Sequence, residues 1–300
     1  METRGYTLAN DEFAFLADLF GKILIEKDIP HVIVGGIATQ AHTLDRMCKH
    51  HNRDVSSLVS DESIGNLDDY LRATNALDFA LRFSEYDTLE GKTDWDLKES
   101  SGLAHSKVLR RINEICDAIV NRGIDGEGSY LSCGDEHIYN FKLEKGGLKK
   151  LGFRVSVDDR PTGSIRLKLS RWTKDLTGEE GLKDFNPDFY NQFIEEGVNL
   201  KIPYSKDCSR VFRSLRPIDL LAVKIALARP KDDMDIGNLV NALRLTGEFF
   251  TAPESLRVDG YSLRERLVPC YEKQLERFAS KYGLNLPPAS KIERARLANR

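Results

Sequence analysis

Arg72–Phe83 reads RATNALDFALRF, and the fold turns on how it is read. Leu77, Phe79, Leu81 and Phe83 alternate with Ala76, Asp78, Ala80 and Arg82, the period of a strand with one face in a core. Asp78 therefore lies on the other face, and Ala76 shares that face with it. The stretch that goes with it is Pro30–His42, PHVIVGGIATQAH. Its apolar run, Val32-Ile33-Val34, ends at Gly35-Gly36 and passes into a helical pattern from Ile37. A strand, a glycine pair and a helix N-terminus let backbone N–H groups approach a phosphate. A carboxylate on a neighbouring strand could hold a divalent metal against that phosphate. A tight turn is the commoner use of paired glycines.

Working outward, residues 11–27 show helical spacing at Phe13, Leu16, Phe20, Ile23 and Leu24, with Asn10 as N-cap. Residues 43–71 are polar and read as an inserted, mostly helical flap or loop of roughly 30 residues. Cys48, His50 and His51 fall there, but adjacent histidines rarely point the same way, and a solvated loop is the better reading. Beyond the key strand, an amphipathic helix is expected from Ser106, with Gly123 as its stop. Strands are expected at Ser129–Ser132, His137–Leu143, Phe153–Val157 and Ser164–Leu169, the last two flanking a hairpin signal at Asp158–Gly163. Asn199–Tyr204 gives one more strand. From Pro217 the pattern is helical, with Pro217 suited to a first helical position.

Together the three stretches resemble the nucleotidyltransferase fold, in the branch of AbiEii-type abortive-infection and toxin proteins. That branch typically reads Gly-Gly-x-Ala, then Arg-x-Thr-x-Asp-x-Asp. Here Gly35-Gly36-Ile37-Ala38 is followed by Arg72-Ala73-Thr74-Asn75-Ala76-Leu77-Asp78, so Ala76 stands where the first aspartate is expected. Arg216–Lys224, RPIDLLAVK, and then Arg229-Pro230-Lys231-Asp232-Asp233-Met234-Asp235 are similar to the branch's lysine-bearing helix and Lys-Asp turn. The resemblance implies an α/β (α+β) fold, a mixed sheet with flanking helices. We expect a nucleotidyltransferase-like domain over 1–205 and a helical domain over 206–300.

The same resemblance implies transfer of a nucleotidyl group from an NTP to an RNA acceptor such as a tRNA end, with Mg2+ or Mn2+. A cognate antitoxin would be a possible protein partner. Asp78 would bind metal, Gly35, Gly36, Arg72, Thr74 and Lys224 the nucleotide, and Asp232 or Asp235 would orient or deprotonate the acceptor hydroxyl. A structural ion pair among Lys224, Arg229 and these aspartates is the plainer alternative. Paired strand carboxylates are the usual device for this chemistry, and alanine can bind nothing. The later strand around Ile165–Leu169 offers Arg166 and Lys168 in place of a carboxylate. Two explanations fit Ala76. One is a natural, catalytically inactive relative that binds RNA or a protein partner. The other is an inactivated form of a toxic enzyme, which one change to RATNDLDFAL would restore, and the intact remainder of the strand leans toward it.

Composition is that of a globular chain, with 41% hydrophobic and 30% charged residues over 300 residues. Apolar runs fall short of the ~20 residues of a membrane helix. The N-terminus lacks a signal-peptide core. Five scattered cysteines with no CxxC suit a reducing, cytoplasmic setting. The net charge of −3 hides an asymmetry, because residues 201–300 carry 19 Lys+Arg against 12 Asp+Glu. Arg210, Arg213, Arg216, Arg244, Arg264, Arg266, Lys273 and the 291–300 tail are the candidate contacts to a polyanion.

Overall fold

In the computed structural model the chain is described at residues 7–64, 67, 70–74, 76–82, 110–111, 114–115, 118, 126–133, 136–145, 148–156, 165–171, 194–249, 263 and 271–286, with 126–171 as backbone. The first helix, α1 (Asp11–Glu26), starts where Asn10 accepts a hydrogen bond from the Phe13 amide at 3.0 Å. Its expected apolar stripe, Phe13, Leu16, Phe20, Ile23 and Leu24, is buried. The chain then enters β1 (His31–Val34), buried along its whole length, and turns at Gly35 into α2 (Gly35–His51). A short helix, α3 (Val55–Val59), follows.

β2 (Ala76–Leu81) is the strand anticipated from its alternation. Leu77, Phe79 and Leu81 are buried, and Phe79 meets Phe20 of α1 at 6.1 Å between ring centroids. α1 therefore covers the apolar face of β2, and Asp78 is directed to the face that carries Gly35. The remaining strands are β3 (Gly126–Cys133), β4 (Glu136–Lys145), β5 (Leu148–Ser156), β6 (Ile165–Arg171), β7 (Val198–Ser205) and β8 (Cys208–Ser214). They form one eight-stranded mixed sheet in the order β3-β4-β5-β6-β2-β1-β8-β7. β1 and β8 run parallel, and the other neighbours pair antiparallel.

The helices that follow the sheet among the described residues include α4 (Pro217–Leu227), α5 (Pro230–Leu245) and α6 (Glu272–Tyr282). Pro217 sits in the first turn of α4, where a missing N–H costs nothing. α4 and α5 pack on α2. None of the helices among the described residues is long and apolar enough to cross a membrane.

Two expectations change. β8 was not anticipated, and it lies between β1 and β7 inside the sheet. The stretch after residue 205 is thus not a separate helical unit at its start, and its helices share the core of α1, α2 and the sheet. The helix from Gly36 was expected to run toward Met47 and does so as α2, but residues 43–48, polar enough to read as the opening of a flap, are buried in it. Their partners come from remote parts of the chain: Arg46 donates to Glu248 at 2.8 Å and to His42 Nδ1 at 3.0 Å, and His42 Nε2 donates to the Leu215 carbonyl at 2.6 Å. His50 and His51 are exposed at the C-terminal end of α2. The helix expected from Ser106 falls mostly outside the described residues, although 110, 111, 114, 115 and 118 are helical and Ile115 is buried. Asp158–Gly163, Arg264, Arg266 and 291–300 lie outside them as well.

Candidate active site

The glycine pair is where sequence and geometry meet first. Gly35 has φ +67°, a left-handed backbone in which a Cβ is strained. A Cβ there would also stand 3.0 Å from Asp78 Oδ2. Val34 pairs with Asp78 across β1 and β2, which brings the carboxylate over the turn. Asp78 is buried at 7% exposure. Gly36 is crowded by a different group: a Cβ on it would lie 2.6 Å from Arg72 Nη2 and 3.7 Å from Thr74 Cβ. The two glycines thus admit one carboxylate and one guanidinium against the first turn of α2.

Arg72 does not end there. Its Nε and Nη2 donate to the two oxygens of Asp235 at 2.7 and 2.9 Å, a bidentate pair. The Asp235 hydrogen bond is the first cause holding the Arg72 guanidinium more firmly protonated than usual. Lys224 Nζ donates to Asp235 at 2.5 Å and to Asp232 at 3.4 Å, and its side chain is 2% exposed. Arg229 closes the network on Asp232 at 2.7 and 3.2 Å. Burial alone would push the Asp232 carboxyl up, but Arg229 and Lys224 outweigh it and hold it below the usual range.

A short reversal makes this possible. Ala228 adopts φ +46° after α4, and Arg229-Pro230 then starts α5, so Lys224 faces the first turns of the next helix. The sequence allowed Asp232 and Asp235 as acceptor-orienting groups or as members of an ion-pair network. The network is present, and both carboxylates accept from two cationic side chains each.

Two further residues belong here and drew no attention in the sequence. Gln40 of α2 donates to the Arg72 carbonyl at 2.6 Å while accepting from the Leu8 amide at 2.7 Å, fixing the backbone beneath the guanidinium. A buried glutamine inside an apolar helical pattern was the available signal. Lys231, in the first turn of α5, carries an ammonium that feels the charges of Arg229, Asp232, Arg72 and Asp78. Its place in the Lys-Asp turn was visible.

A crystal structure of an antigenic nucleotidyltransferase-like protein from Paracoccidioides brasiliensis is similar at a TM-score of 0.38 and 15% identity, over 94% of this chain and 96% of that one. No family model matches the chain, and no curated protein does.

Among the described residues, those at the site do not fit a divalent-metal centre of the expected kind. β2 supplies Asp78, but position 76 is alanine, and Asp232 and Asp235 are turned to Lys224, Arg72 and Arg229. Among the described residues, no group of three or more His, Cys, Asp or Glu is placed to hold a metal ion. The strand next to β2 places Lys168 in register with Asp78.

The C-terminal arginines expected to face a polyanion that fall among the described residues are tied into the fold. Arg210 pairs with Asp11 and lies over Phe15 and Tyr204, and Arg213 donates to the carbonyls of Ile194 and Glu195. Arg216 pairs with Asp219 and Glu196, and Arg244 donates to the Tyr282 carbonyl. Lys273 is exposed.

Gly36→Val is expected to push the Arg72 guanidinium off the first turn of α2, because the new Cβ meets it at 2.6 Å. Loss of the bidentate geometry should cost about 1–3 kcal/mol of stability. Urea unfolding of the variant beside an Arg72→Ala chain checks this. Equal stability of Gly36→Val and the parent would mean the guanidinium is free to move.

Proposed function

We propose that this chain is a nucleotidyltransferase-like protein that binds a nucleoside triphosphate at the first turn of α2, beside Gly35, Gly36, Asp78 and Arg72, and that with Ala76 it does not carry the metal-dependent transfer step. The observation that carries this reading is the Arg72 fork, because it joins the glycine pair, the β2 strand and the Lys224–Asp235 segment at one place. Three motifs far apart in the chain converge, as a phosphate-binding site requires. Gly35 and Gly36 let Asp78 and Arg72 close on the first turn of α2, and Arg72 supplies a fixed positive charge there for a phosphate to meet. Lys224 holds Asp235, and Asp235 in turn holds Arg72.

Calorimetric titration with each of the four NTPs tests this. Binding is expected, and Arg72→Ala should weaken it about tenfold or more. Failure of every NTP to bind, or indifference to Arg72→Ala, would sink the reading.

A second reading, an AbiEii-like toxin enzyme that transfers a nucleotidyl group to RNA such as a tRNA end and is restrained by an antitoxin, draws on the motif resemblance and on Asp78 seated against Gly35. It needs a second strand carboxylate to hold Mg2+ or Mn2+, which Ala76→Asp would supply on the same face of β2. On that reading the variant should transfer label from an NTP to RNA in the presence of Mn2+, at least about a hundredfold above the parent chain. No transfer from any of the four NTPs would remove the enzyme reading and leave the binding one standing.

A further inference from the structure

We propose that the Arg72–Asp235 pair is a latch that keeps the first turn of α2 closed, and that a triphosphate enters only when Arg72 leaves Asp235 and turns to the ligand. This rests on the nucleotide-binding reading above and adds how that site is held shut.

The closure is steric first. Arg72 Nη2 stands 2.6 Å from where a Cβ on Gly36 would be, and Asp78 Oδ2 stands 3.0 Å from one on Gly35. A phosphate approaching the backbone of this turn would meet these two side chains before it met an N–H. Asp78 belongs to β2 and is fixed opposite Val34 by the pairing of β1 with β2. Arg72 precedes β2, and its side chain is 23% exposed. Gln40 holds its backbone carbonyl at 2.6 Å. The guanidinium can therefore swing about an anchored main chain, and the sheet need not move.

Electrostatics makes the closed position one that has to be held. The N-terminal end of a helix carries partial positive charge, so a guanidinium is poorly placed beside it. The helix brings no cap of its own, since Val34 is the N-cap without a side-chain hydrogen bond and the first turn has no acidic residue. Asp235 is what keeps Arg72 there, accepting from its Nε and Nη2 at 2.7 and 2.9 Å. The two ends of this pair are unequal. Asp235 is 1% exposed and also accepts from Lys224 at 2.5 Å. When Arg72 leaves, Asp235 keeps the ammonium, and no buried charge is stranded. A triphosphate offers the departing fork another pair of anionic oxygens at the same turn.

The test compares calorimetric titrations of ATP, GTP, CTP and UTP into the parent chain and into a Lys224→Met/Asp235→Asn double variant. That variant takes the charge from the acceptor without leaving a buried ammonium alone. It is expected to bind about tenfold tighter or more, because the parent's affinity is reduced by the fraction of chains whose Arg72 is released. Adding Arg72→Ala should then weaken binding more in the double variant than in the parent, by about that same factor, since only the parent must break the fork to use the guanidinium. A gain below about threefold would overturn the latch and leave the nucleotide site standing. Should the double variant lose the parent's thermal transition, the parent decides. With isotope-labelled arginine, the Arg72 Nε–H signal, identified by its absence from Arg72→Ala, should shift as nucleotide saturates the site. A signal that stays in place at saturation would overturn the latch. Nucleotide bound by neither chain would overturn the nucleotide reading itself, and the inference with it.

Discussion

Asp235→Ala is expected to destabilise the chain by about 3–5 kcal/mol, the cost of leaving a buried cation without its partner. Asp235 is 1% exposed and accepts from Lys224 at 2.5 Å and from Arg72 at 2.7 and 2.9 Å. Alanine would strand the Lys224 ammonium at 2% exposure with a single, longer contact to Asp232 at 3.4 Å. Arg72 would lose its bidentate partner at the same time. The reverse change is gentler. Lys224→Met removes the buried ammonium and fills similar volume, while Asp235 keeps Arg72 and Asp232 keeps Arg229. Urea unfolding should therefore place Asp235→Ala well below Lys224→Met, and the thermal midpoint of the former should drop by on the order of 10 °C. Similar losses from the two would mean that the carboxylate is no more needed than the amine, and that the network is not the clamp described.

The second large effect follows acidification. His42 is fully buried in α2, donates through Nε2 to the Leu215 carbonyl, and accepts at Nδ1 from Arg46. Burial first, then the Arg46 charge, lower its pKa to about 3. An unfolded histidine titrates near 6.5. Its folded pKa is depressed, so below pH 6.5 the unfolded chain takes up a proton that the folded chain refuses. The contribution of this residue is complete above about pH 6.5 and falls by about 1.4 kcal/mol per pH unit down toward pH 3. Between pH 7 and pH 5, His42 alone should remove about 2 kcal/mol. His31, buried on β1 with its pKa lowered chiefly by burial, acts in the same direction. His42→Gln keeps a donor and an acceptor but does not titrate. It should be less stable at pH 7 and should lose less than the parent between pH 7 and pH 5. Parallel pH profiles for the two chains would show that the ring is not held neutral.

Elements built on their own residues were legible in the sequence. Leu77, Phe79 and Leu81 announced β2, Asn10 announced the start of α1, and Pro217 announced α4. β8 was not, because Cys208–Ser214 carries Arg210 and Arg213 where an inner strand should be apolar. Arg210 is tolerated at 8% exposure because Asp11, 199 residues earlier, accepts from it. Asp45 and Arg46 read as part of a polar flap for the same reason, since Arg46 finds Glu248 only 202 residues later. Residues of the site could be named one by one, Asp78 from its face and Lys224 from its apolar helix. Their joining could not, since Arg72 and Asp235 meet only after the chain has folded back on itself.

That meeting has a consequence for how the protein is made. Arg72 and Asp235 are 163 residues apart, and at a synthesis rate of roughly 5–20 residues per second the interval between them is on the order of 10–30 s. Ile33 of β1 likewise waits for Ser214 of β8, its parallel neighbour. Until β8 is made the nascent chain presents one unpaired edge of β1, and until residue 235 is made Arg72 lacks its partner. Such an edge recruits other strands. A ribosome that stalls before residue 208 would hold a fragment with an open sheet edge and no anchored site, so the last third of the chain governs when the first third becomes safe to release.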